Sequence, residues 1–261
     1  MTHSGPPVEG SPTISVVIPT CDRPEFAEQA IASALAQTLP PSQVILVDNG
    51  YNPFAGPRDR HRLSVLRLPP RCGASRARNA GARAAKGEYL AFLDDDDWWS
   101  PSFLEELHRT LIRDGTRCGY GRKDRWRDGR LRHYKTPGPE DMTVENLLRR
   151  NPGTGGMNLL VERRLFIEIG GFDEELPASE DRAFALEVLL AGEEIACAPK
   201  AVSVARHHDG ERLRQDPRRR LAFVWKYRRH LPRTEWVGRA LELYAQWAFG
   251  ICRTIWSRRP A

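Results

Sequence analysis

The feature that most constrains the fold is an apolar run that ends abruptly in four carboxylates. Residues 89–93 are apolar or aromatic, and Asp94, Asp95, Asp96 and Asp97 follow without a break. Adjacent acids repel one another, so a fold that gathers them at a strand end usually offsets the cost with a cation or a cationic ligand. In an extended chain alternate side chains share a face, which would place Asp94 with Asp96. The run therefore predicts a buried strand that delivers carboxylates to a sheet edge, at a spacing suited to a divalent metal ion.

The four acids have an alternative explanation, because negative charge near the N-terminus of a helix is stabilising. The next predicted helix covers residues 101–113, and Ser100 and Pro101 already supply an N-cap and a proline at its first position. We therefore favour metal binding over helix capping for the acids.

The chain before this run alternates short β-branched stretches with helical patterns. Strands are predicted at 14–18, 44–47, 63–68 and 88–93, and helices at 25–37 and 73–87. This alternation implies right-handed crossovers and a parallel sheet, so the fold class is α/β. In such sheets ligands bind outside the carboxyl ends of the strands, where Thr20, Asp48 and the four acids would meet.

After residue 113 the sequence changes character, and the predicted elements become shorter. They are a hairpin over 120–134 turning at Asp128–Gly129, a helix at 143–150, a strand at 157–161, a helix at 163–169, a helix at 182–190 with Ser179 as its N-cap, and strands at 195–198 and 202–205. The glycine-rich loop at 151–156 is predicted to be flexible, and its glycines would allow either close backbone approach or lid motion.

Length and composition indicate one large domain with an appendage. The chain has 261 residues and a net charge of +6, and residues 206–261 hold 14 Arg/Lys against five Asp/Glu. The predicted division is a flexible N-terminus at 1–12, the main domain at 13–206 and a basic helical extension at 207–261. The five cysteines are scattered without a C-x-x-C pair, which excludes a zinc ribbon and favours a reduced, cytoplasmic protein.

The extension contains an amphipathic pattern from residue 236 to residue 256. Its apolar positions are Trp236, Ala240, Tyr244, Trp247, Ala248, Ile251, Ile255 and Trp256. Packing on the domain or on a second subunit is the favoured explanation of this stripe. Peripheral attachment to an anionic membrane surface, at its inner face, remains the alternative because tryptophans and basic residues flank the stripe.

Seven short motifs, taken in order, resemble those of the family 2 glycosyltransferases. They occupy residues 17–20, 45–50, 73–81, 86–89, 92–98, 170–173 and 180–181. The resemblance covers residues 13 to about 206 and implies an inverting, metal-dependent enzyme with a GT-A fold that uses nucleotide-diphosphate sugars. It also implies a nucleotide-sugar-binding half at 13–100 and an acceptor-binding half at 101–206.

The same resemblance assigns the donor-side residues. The family's D-x-D motif maps onto Asp94, Asp95 and Asp96, with Asp96 and Asp94 as ligands of Mn²⁺ or Mg²⁺ and with Asp94 and Asp95 near the nucleotide. The resemblance also places a histidine after the last strand, His207 or His208, near the metal or the diphosphate, and we name His208 as the ligand; an ordinary loop histidine is the alternative.

The nucleoside and base assignments follow in the same way. Pro19, Thr20 and Asp48 would contact the nucleoside, commonly that of a UDP-sugar, and Arg78 would contact the base or a phosphate. Without the resemblance, Asp48 would be explained by an Asx turn and Arg78 by a surface helix charge.

The pair Glu180 and Asp181 matches the family's Glu-Asp pair, which implies that Asp181 is the general base and that Glu180 positions the acceptor. The alternative is that both acids merely stabilise a helix N-terminus.

Two departures from the family pattern limit the prediction. Asn49 and Tyr51 replace a more usual acid and a small residue, which leaves the nucleotide base open. The Gln-x-x-Arg-Trp motif of processive synthases is absent, which favours a single transfer to a small-molecule or glycan acceptor.

Two other function classes compete with this prediction. A sugar-phosphate nucleotidyltransferase usually has a glycine-rich loop after the first strand, and residues 20–24 contain no glycine. A nucleic-acid-binding or other anion-binding module is disfavoured because no nucleic-acid motif accompanies the basic tail.

Overall fold

A single curled sheet organises the protein. The computed structural model describes residues 12–56, 61–207 and 217–256, without the side chains of 218 and 249–256. The strands of the described part are β1 (Ile14–Thr20), β2 (Gln43–Asp48), β3 (Leu63–Arg67), β4 (Tyr89–Phe92), β5 (Trp98–Trp99), β6 (Cys118–Arg127), β7 (Arg130–Lys135), β8 (Leu159–Glu162) and β9 (Ile195–Arg206). They are ordered β3-β2-β1-β4-β8-β6-β9-β5, and β7 pairs with β6.

The described residues form eight α-helices, most of which flank this sheet. They are α1 (Pro24–Leu35), α2 (Ala74–Ala84), α3 (Phe103–Asp114), α4 (Val144–Arg149), α5 (Arg163–Glu168), α6 (Glu180–Leu190), α7 (Pro217–Lys226) and α8 (Arg233–Trp256). The predicted N-terminal segment 1–12 lies, apart from Pro12, outside the described residues, and so does His208.

The first half of the sheet confirms the predicted parallel arrangement. Strand β1 pairs in parallel with both β2 and β4, and β2 pairs in parallel with β3. The register sets Thr20 opposite Asp48 at the carboxyl ends of β1 and β2. These strands are continuous apolar runs because helices cover both of their faces.

The second half of the sheet is mixed, so the parallel arrangement does not extend through it. Strand β8 runs antiparallel to both β4 and β6, whereas β9 runs parallel to β6. The two predicted strands at 195–198 and 202–205 form the single strand β9, which has an irregular register opposite Gly121 and Arg122. The predicted hairpin is present as β6 and β7.

The segment after β4 corrects two sequence predictions. Residues 94–97 form a turn closed by the Asp97 amide, which donates to the Asp94 carbonyl at 3.1 Å, so the alternation of an extended chain does not apply there. Ser100 does not cap α3, because its buried hydroxyl makes no hydrogen bond within the described residues. Its amide donates to the Val202 carbonyl and continues the pairing of β5 with β9. The helix begins at Phe103 instead.

Aromatic packing fixes α6 beneath the sheet. Phe92 of β4 contacts Phe166 and Phe172 with ring centroids 5.2 and 5.1 Å apart, and both of those rings contact Phe184 of α6. All four side chains are buried. Tilted and edge-to-face rings at these separations pack favourably, so they hold the first turns of α6 close to the end of β4.

The C-terminal helices pack on the domain. Phe223 and Tyr227 are buried, and the Tyr227 hydroxyl donates to Glu187 Oε1 of α6 at 2.7 Å. Arg149 of α4 makes a bidentate ion pair with Glu235 of α8 at 2.7 and 3.0 Å. Packing on the domain is therefore the arrangement that the structure shows for the extension.

The predicted apolar stripe of α8 is partly wrong. Leu243, which the prediction omitted, is buried, whereas Tyr244 is 59% exposed. The packed face is set by contacts with α4 and α7 rather than by hydropathy alone. None of the described helices is both long enough and apolar enough to cross a bilayer.

Candidate functional site

The predicted site residues meet at one edge of the sheet. Strands β1, β2 and β4 end there, and the turn that follows β4, residues 94–97, is called the acidic turn below. Arg78 reaches this edge from α2, and Glu180 and Asp181 reach it from the first turn of α6. The chain therefore brings acids separated by more than 80 residues into one crevice.

The acidic turn divides its carboxylates into a buried pair and a partly exposed pair. Asp95 is 1% exposed and Asp97 is 6% exposed, whereas the side chains of Asp94 and Asp96 are 32% and 20% exposed. The geometry of the turn, and not the alternation of an extended strand, determines which of these side chains are exposed. The pair that faces the crevice, Asp94 and Asp96, is nevertheless the pair that the sequence predicted. Asp95 lies beneath the turn and does not line the open crevice.

The two buried acids hold the turn in place. Asp95 accepts a hydrogen bond from Thr20 Oγ1 at 2.8 Å, and Asp97 accepts one from the Arg206 amide at 2.9 Å. Burial raises the pKa of Asp95 to about 6, although Arg23 and Thr20 favour its charged form. Burial likewise raises the pKa of Asp97 well above its ordinary value. These acids therefore tie the turn to β1 and β9.

Arg23 is a site residue that the sequence reasoning missed. Its guanidinium bridges Asp95 Oδ1 at 2.7 Å and Asp96 Oδ2 at 2.9 Å. The signal was available, because Arg23 follows Thr20 by three residues in the loop that leaves β1 at the same edge. It partly offsets the mutual repulsion of the four acids.

Arg78 joins the acidic turn to the acids of α6. Its Nη2 lies 2.5 Å from Asp94 Oδ1, and its Nη1 lies 3.3 Å from Glu180 Oε1. The side chain is only 6% exposed and its guanidinium lies over the Phe172 ring, 5.5 Å from the centroid. The explanation of Arg78 as a surface helix charge is therefore wrong.

Glu180 and Asp181 open α6 and differ in their surroundings. Burial, followed by the negative charge of Asp181, raises the pKa of Glu180, and Arg78 opposes that rise. Asp181 is 6% exposed. Ser179 precedes the helix as predicted, but its hydroxyl makes no capping bond because its backbone is left-handed, with φ of 69°.

Asp48 is engaged by the protein itself. One of its oxygens accepts from the Gly50 amide at 2.9 Å, which is the Asx turn expected from the sequence. The other accepts from the Phe54 amide at 2.7 Å and from Arg67 Nη1 at 2.6 Å. Pro19, Thr20 and Asp48 are all buried, so they form the floor of the crevice.

The loop at residues 151–156 corrects the prediction of a flexible segment. Residues 152–156 are buried, and Lys123 Nζ donates to the Thr154 carbonyl at 2.9 Å while Lys135 Nζ donates to the Asn151 carbonyl at 2.8 Å. Glycine is needed for close approach rather than for motion. A Cβ at Gly156 would lie 2.9 Å from Arg78 Nε.

The acids of the crevice fit a divalent cation only in part. Asp94 and Asp96 offer partly exposed carboxylates, and such oxygen donors suit Mg²⁺ or Mn²⁺. The described residues contain no group of three His, Cys, Asp or Glu side chains placed to hold a metal ion. The chain would thus supply a minority of the ligands, as is usual for Mg²⁺ that also binds phosphates.

Comparisons with known proteins show the family to which the chain belongs. The family model for glycosyl transferase family 2 matches residues 15–170. An uncharacterized glycosyltransferase of Haemophilus influenzae is 27% identical over 187 residues, which are 67% of this chain and 62% of that protein. The putative teichuronic acid biosynthesis glycosyltransferase TuaG of Bacillus subtilis is 28% identical over 161 residues, which are 58% of this chain and 63% of that protein. The chain thus spans less than two thirds of the length of these curated relatives.

A solved structure shares the architecture. The crystal structure of S. aureus TarS 1-349 in complex with UDP-GlcNAc superimposes with a TM-score of 0.66 at 18% identity, over 90% of this chain and 72% of that one. This likeness confirms the predicted fold class, a GT-A-like α/β sheet flanked by helices. Because the family model spans more than half of the sequence, the chain belongs to glycosyl transferase family 2.

Proposed function

We propose that this chain transfers a single sugar from a UDP-sugar to an acceptor hydroxyl, with inversion and with the help of Mn²⁺ or Mg²⁺. The observation that carries the proposal is the double ion pair of Arg78 with Asp94 and Glu180. One buried guanidinium links an acidic turn suited to a metal-bound diphosphate with an acidic pair suited to proton removal. The glycosyltransferase names of the relatives and the UDP-GlcNAc complex of TarS support the same reaction class.

On the donor side, Asp96 and Asp94 would hold the cation together with oxygens of the diphosphate. When bound, the cation would neutralise charge that develops on the departing diphosphate. Pro19, Thr20 and Asp48 would lie under the nucleoside, with Asp48 oriented by its own turn. Arg78, fixed between two carboxylates, would place a positive charge beside the phosphates.

On the acceptor side, Asp181 would act as the general base. A hydroxyl is a weak nucleophile near neutral pH, so a carboxylate within hydrogen-bonding distance must take its proton as the new bond forms. One base is sufficient for a single displacement, which inverts the anomeric centre. Glu180 is ion-paired with Arg78 and is therefore assigned to positioning.

The C-terminal surface has two candidate partners, an anionic membrane face and a second copy of the chain. Trp225 and Tyr244 are each 59% exposed on α7 and α8, and Lys226, Arg228 and Arg229 follow Trp225 in the sequence. Vesicle sedimentation of the full chain would detect the first partner, and light scattering would detect the second. Membrane binding would place the protein at the inner membrane face, in line with its predicted cytoplasmic location.

A thermal-shift screen tests the proposed function. A ligand that binds only the native state stabilises it by RT ln(1 + [L]/Kd), which is about 2.7 kcal/mol at a hundredfold excess over Kd. We expect UDP and a UDP-sugar to raise the melting temperature in the presence of Mn²⁺, and to raise it much less for Asp96→Asn. The same small shift with every nucleoside diphosphate and sugar nucleotide, with or without Mn²⁺, would contradict the proposal.

A further inference from the structure

The hairpin of β6 and β7 is strongly basic. Residues 122–135, called the basic hairpin below, contain seven Arg/Lys residues and two Asp residues. Such a run is often only a solvated surface, so its charge alone identifies no partner. The arrangement of the charges within the hairpin is more informative.

Like charges face each other directly across the two strands. Arg125 is paired with Arg132, and Arg127 is paired with Arg130. Side chains opposite one another in an antiparallel ladder lie about 5 Å apart at Cβ, and like charges there are destabilising. Arg127 has the neighbouring Asp128 at 3.3 Å, but no carboxylate among the described residues pairs with Arg130 or Arg132. An anionic ligand would offset this repulsion.

The basic hairpin lies at the same edge of the sheet as the acidic turn. Strand β6 is antiparallel to β8, which is antiparallel to β4, so β6 and β4 end at the same edge of the sheet. Trp126 is the register partner of Arg206, whose amide donates to Asp97. The rings of Trp126 and Trp98 meet edge to face, 6.2 Å apart. A chain-like ligand bound along the hairpin would therefore extend toward the crevice.

Contacts on the hairpin orient two of its cationic side chains, Arg122 and Arg125, in advance. The Arg125 guanidinium lies 3.9 Å from the centroid of the Tyr134 ring. Asp124, 2% exposed, accepts from Arg122 at 2.7 Å and contacts His133 Nδ1 at 3.0 Å. A group that is already oriented loses less entropy when it binds, so this order favours ligand binding.

We propose that the basic hairpin binds the acceptor, and that this acceptor is a glycan chain bearing repeated phosphate or carboxylate groups. The inference rests on the proposed function, because it assigns the partner of the same site. Two arginine pairs, separated by two residues along the strand or about 6.6 Å, match anions that recur along a chain. The planar guanidinium binds phosphate and carboxylate through paired hydrogen bonds.

A glycan is favoured over a nucleic acid because the hairpin lacks a series of free aromatic rings among its described side chains. Single-stranded nucleic acids bind basic grooves with aromatic side chains on which the bases stack. On the basic hairpin, Arg125 lies over one face of the Tyr134 ring, which is 49% exposed, and Trp126 packs toward Trp98. The exposed row therefore offers one ring, already stacked with an arginine, and not a series of rings on which successive bases could stack.

The test measures polyanion binding by the full chain with fluorescence anisotropy. The probes are labelled polyphosphate, labelled oligogalacturonate and, as a neutral control, dextran of similar length. We expect one or both anionic probes to bind in a salt-dependent manner and dextran to remain unbound. In Arg130→Gln/Arg132→Gln the affinity should fall at least about tenfold, and the melting temperature should stay the same or rise because the repulsion is relieved.

A matched variant separates the hairpin from general surface charge. Arg109→Gln/Arg113→Gln removes the same charge from α3, where these side chains are 59% and 67% exposed. It should retain affinity within about twofold. Equal losses in both double variants, dextran binding as tight as polyanion binding, or tighter binding of single-stranded DNA of equal charge would each overturn the proposal.

UDP binding distinguishes the failure of this proposal from the failure of the proposed function. The hairpin variant should bind UDP in the presence of Mn²⁺ as the unsubstituted protein does, because its arginines lie outside the nucleotide crevice. If the unsubstituted protein binds polyanions but does not bind UDP, the proposed function is refuted. If it binds UDP, but the hairpin variant binds polyanions as tightly as the unsubstituted protein does, only the acceptor assignment is refuted.

Discussion

Replacing Arg78 with methionine removes the link between the acidic turn and α6. Methionine keeps an unbranched apolar side chain in place of the aliphatic part of arginine, so the loss of the charged guanidinium dominates over the loss of packing. The substitution leaves Asp94 and Glu180 without their shared guanidinium, next to the further negative charge of Asp181.

The expected cost follows from the burial of these groups. Removing one partner of a buried ion pair costs about 3–5 kcal/mol. Asp94 and Glu180 are 32% and 23% exposed, so water screens part of the remaining repulsion, and we expect about 2–4 kcal/mol at pH 8.

The cost should depend on pH with a definite sign. Arg78 lowers the pKa of Glu180 against the opposite effects of burial and Asp181. Without Arg78 the folded-state pKa of Glu180 rises further above its unfolded value. A protonated Glu180 then favours the folded state, so the variant loses stability as pH rises through the folded pKa. The difference from the unsubstituted protein should therefore be largest at pH 8 and smallest near pH 4.

Urea unfolding at pH 5 and pH 8, with EDTA present, measures this difference. Arg113→Met is the control, because Arg113 is 67% exposed and, among the described residues, its ion pair is with its neighbour Asp114. The free energy of unfolding of this variant should differ from that of the unsubstituted protein by less than about 0.5 kcal/mol. The reasoning fails if Arg78→Met is no more destabilising than this control, or if its cost is the same at both pH values.

Three further predictions test other contacts. Asp96→Ala should abolish most sugar transfer together with its dependence on Mn²⁺, measured as release of UDP; full metal-independent turnover would contradict the donor assignment. Gly156→Ala should lower both the melting temperature and UDP affinity, because its Cβ would lie 2.9 Å from Arg78 Nε and the guanidinium must shift. Tyr227→Phe should lower the free energy of unfolding by about 1–2 kcal/mol through loss of the hydrogen bond to Glu187, and an unchanged urea midpoint would show that α7 does not stabilise α6.

The strands that precede the acidic turn were predictable because the residues that they bury form continuous apolar runs in the sequence. Val16–Ile18 and Val44–Val47 are apolar without alternation, as expected for parallel strands covered on both faces. The direction of β8 was not predictable from such a pattern. A short apolar strand has the same composition in either direction, and its pairing with β4 and β6 is decided by tertiary contacts.

In the candidate site, too, some features were predictable from the sequence and others were not. The acids of the turn and of α6 were identified from their motifs, but their separation into buried and exposed members depends on a turn that an extended-chain argument misses. Arg78 looked like one of several arginines on an alanine-rich helix. Its burial follows from the packing of α2 on the sheet and from the approach of Gly156, neither of which the local sequence specifies.

The prediction of a flexible loop at 151–156 failed for a related reason. Glycines and an Asn-Pro pair indicate a turn, but they do not show whether side chains elsewhere will hold the backbone. Lys123 and Lys135 do so from the hairpin, which is distant from the loop in sequence. The composition of the loop indicated turns in its backbone. Contacts with Lys123 of β6 and Lys135 of β7 hold that backbone in place.

The central claim is that one crevice combines a donor site with a separate general base, and Asp181→Asn tests it most directly. The measurement is UDP-sugar affinity by calorimetry with Mn²⁺, alongside acceptor-dependent turnover of the same preparation. Asp114→Asn, a partly exposed carboxylate on α3, serves as the control. The account predicts donor affinity within about threefold of the unsubstituted protein and turnover lowered at least about a hundredfold. Loss of donor affinity, or turnover that survives the substitution, would contradict it.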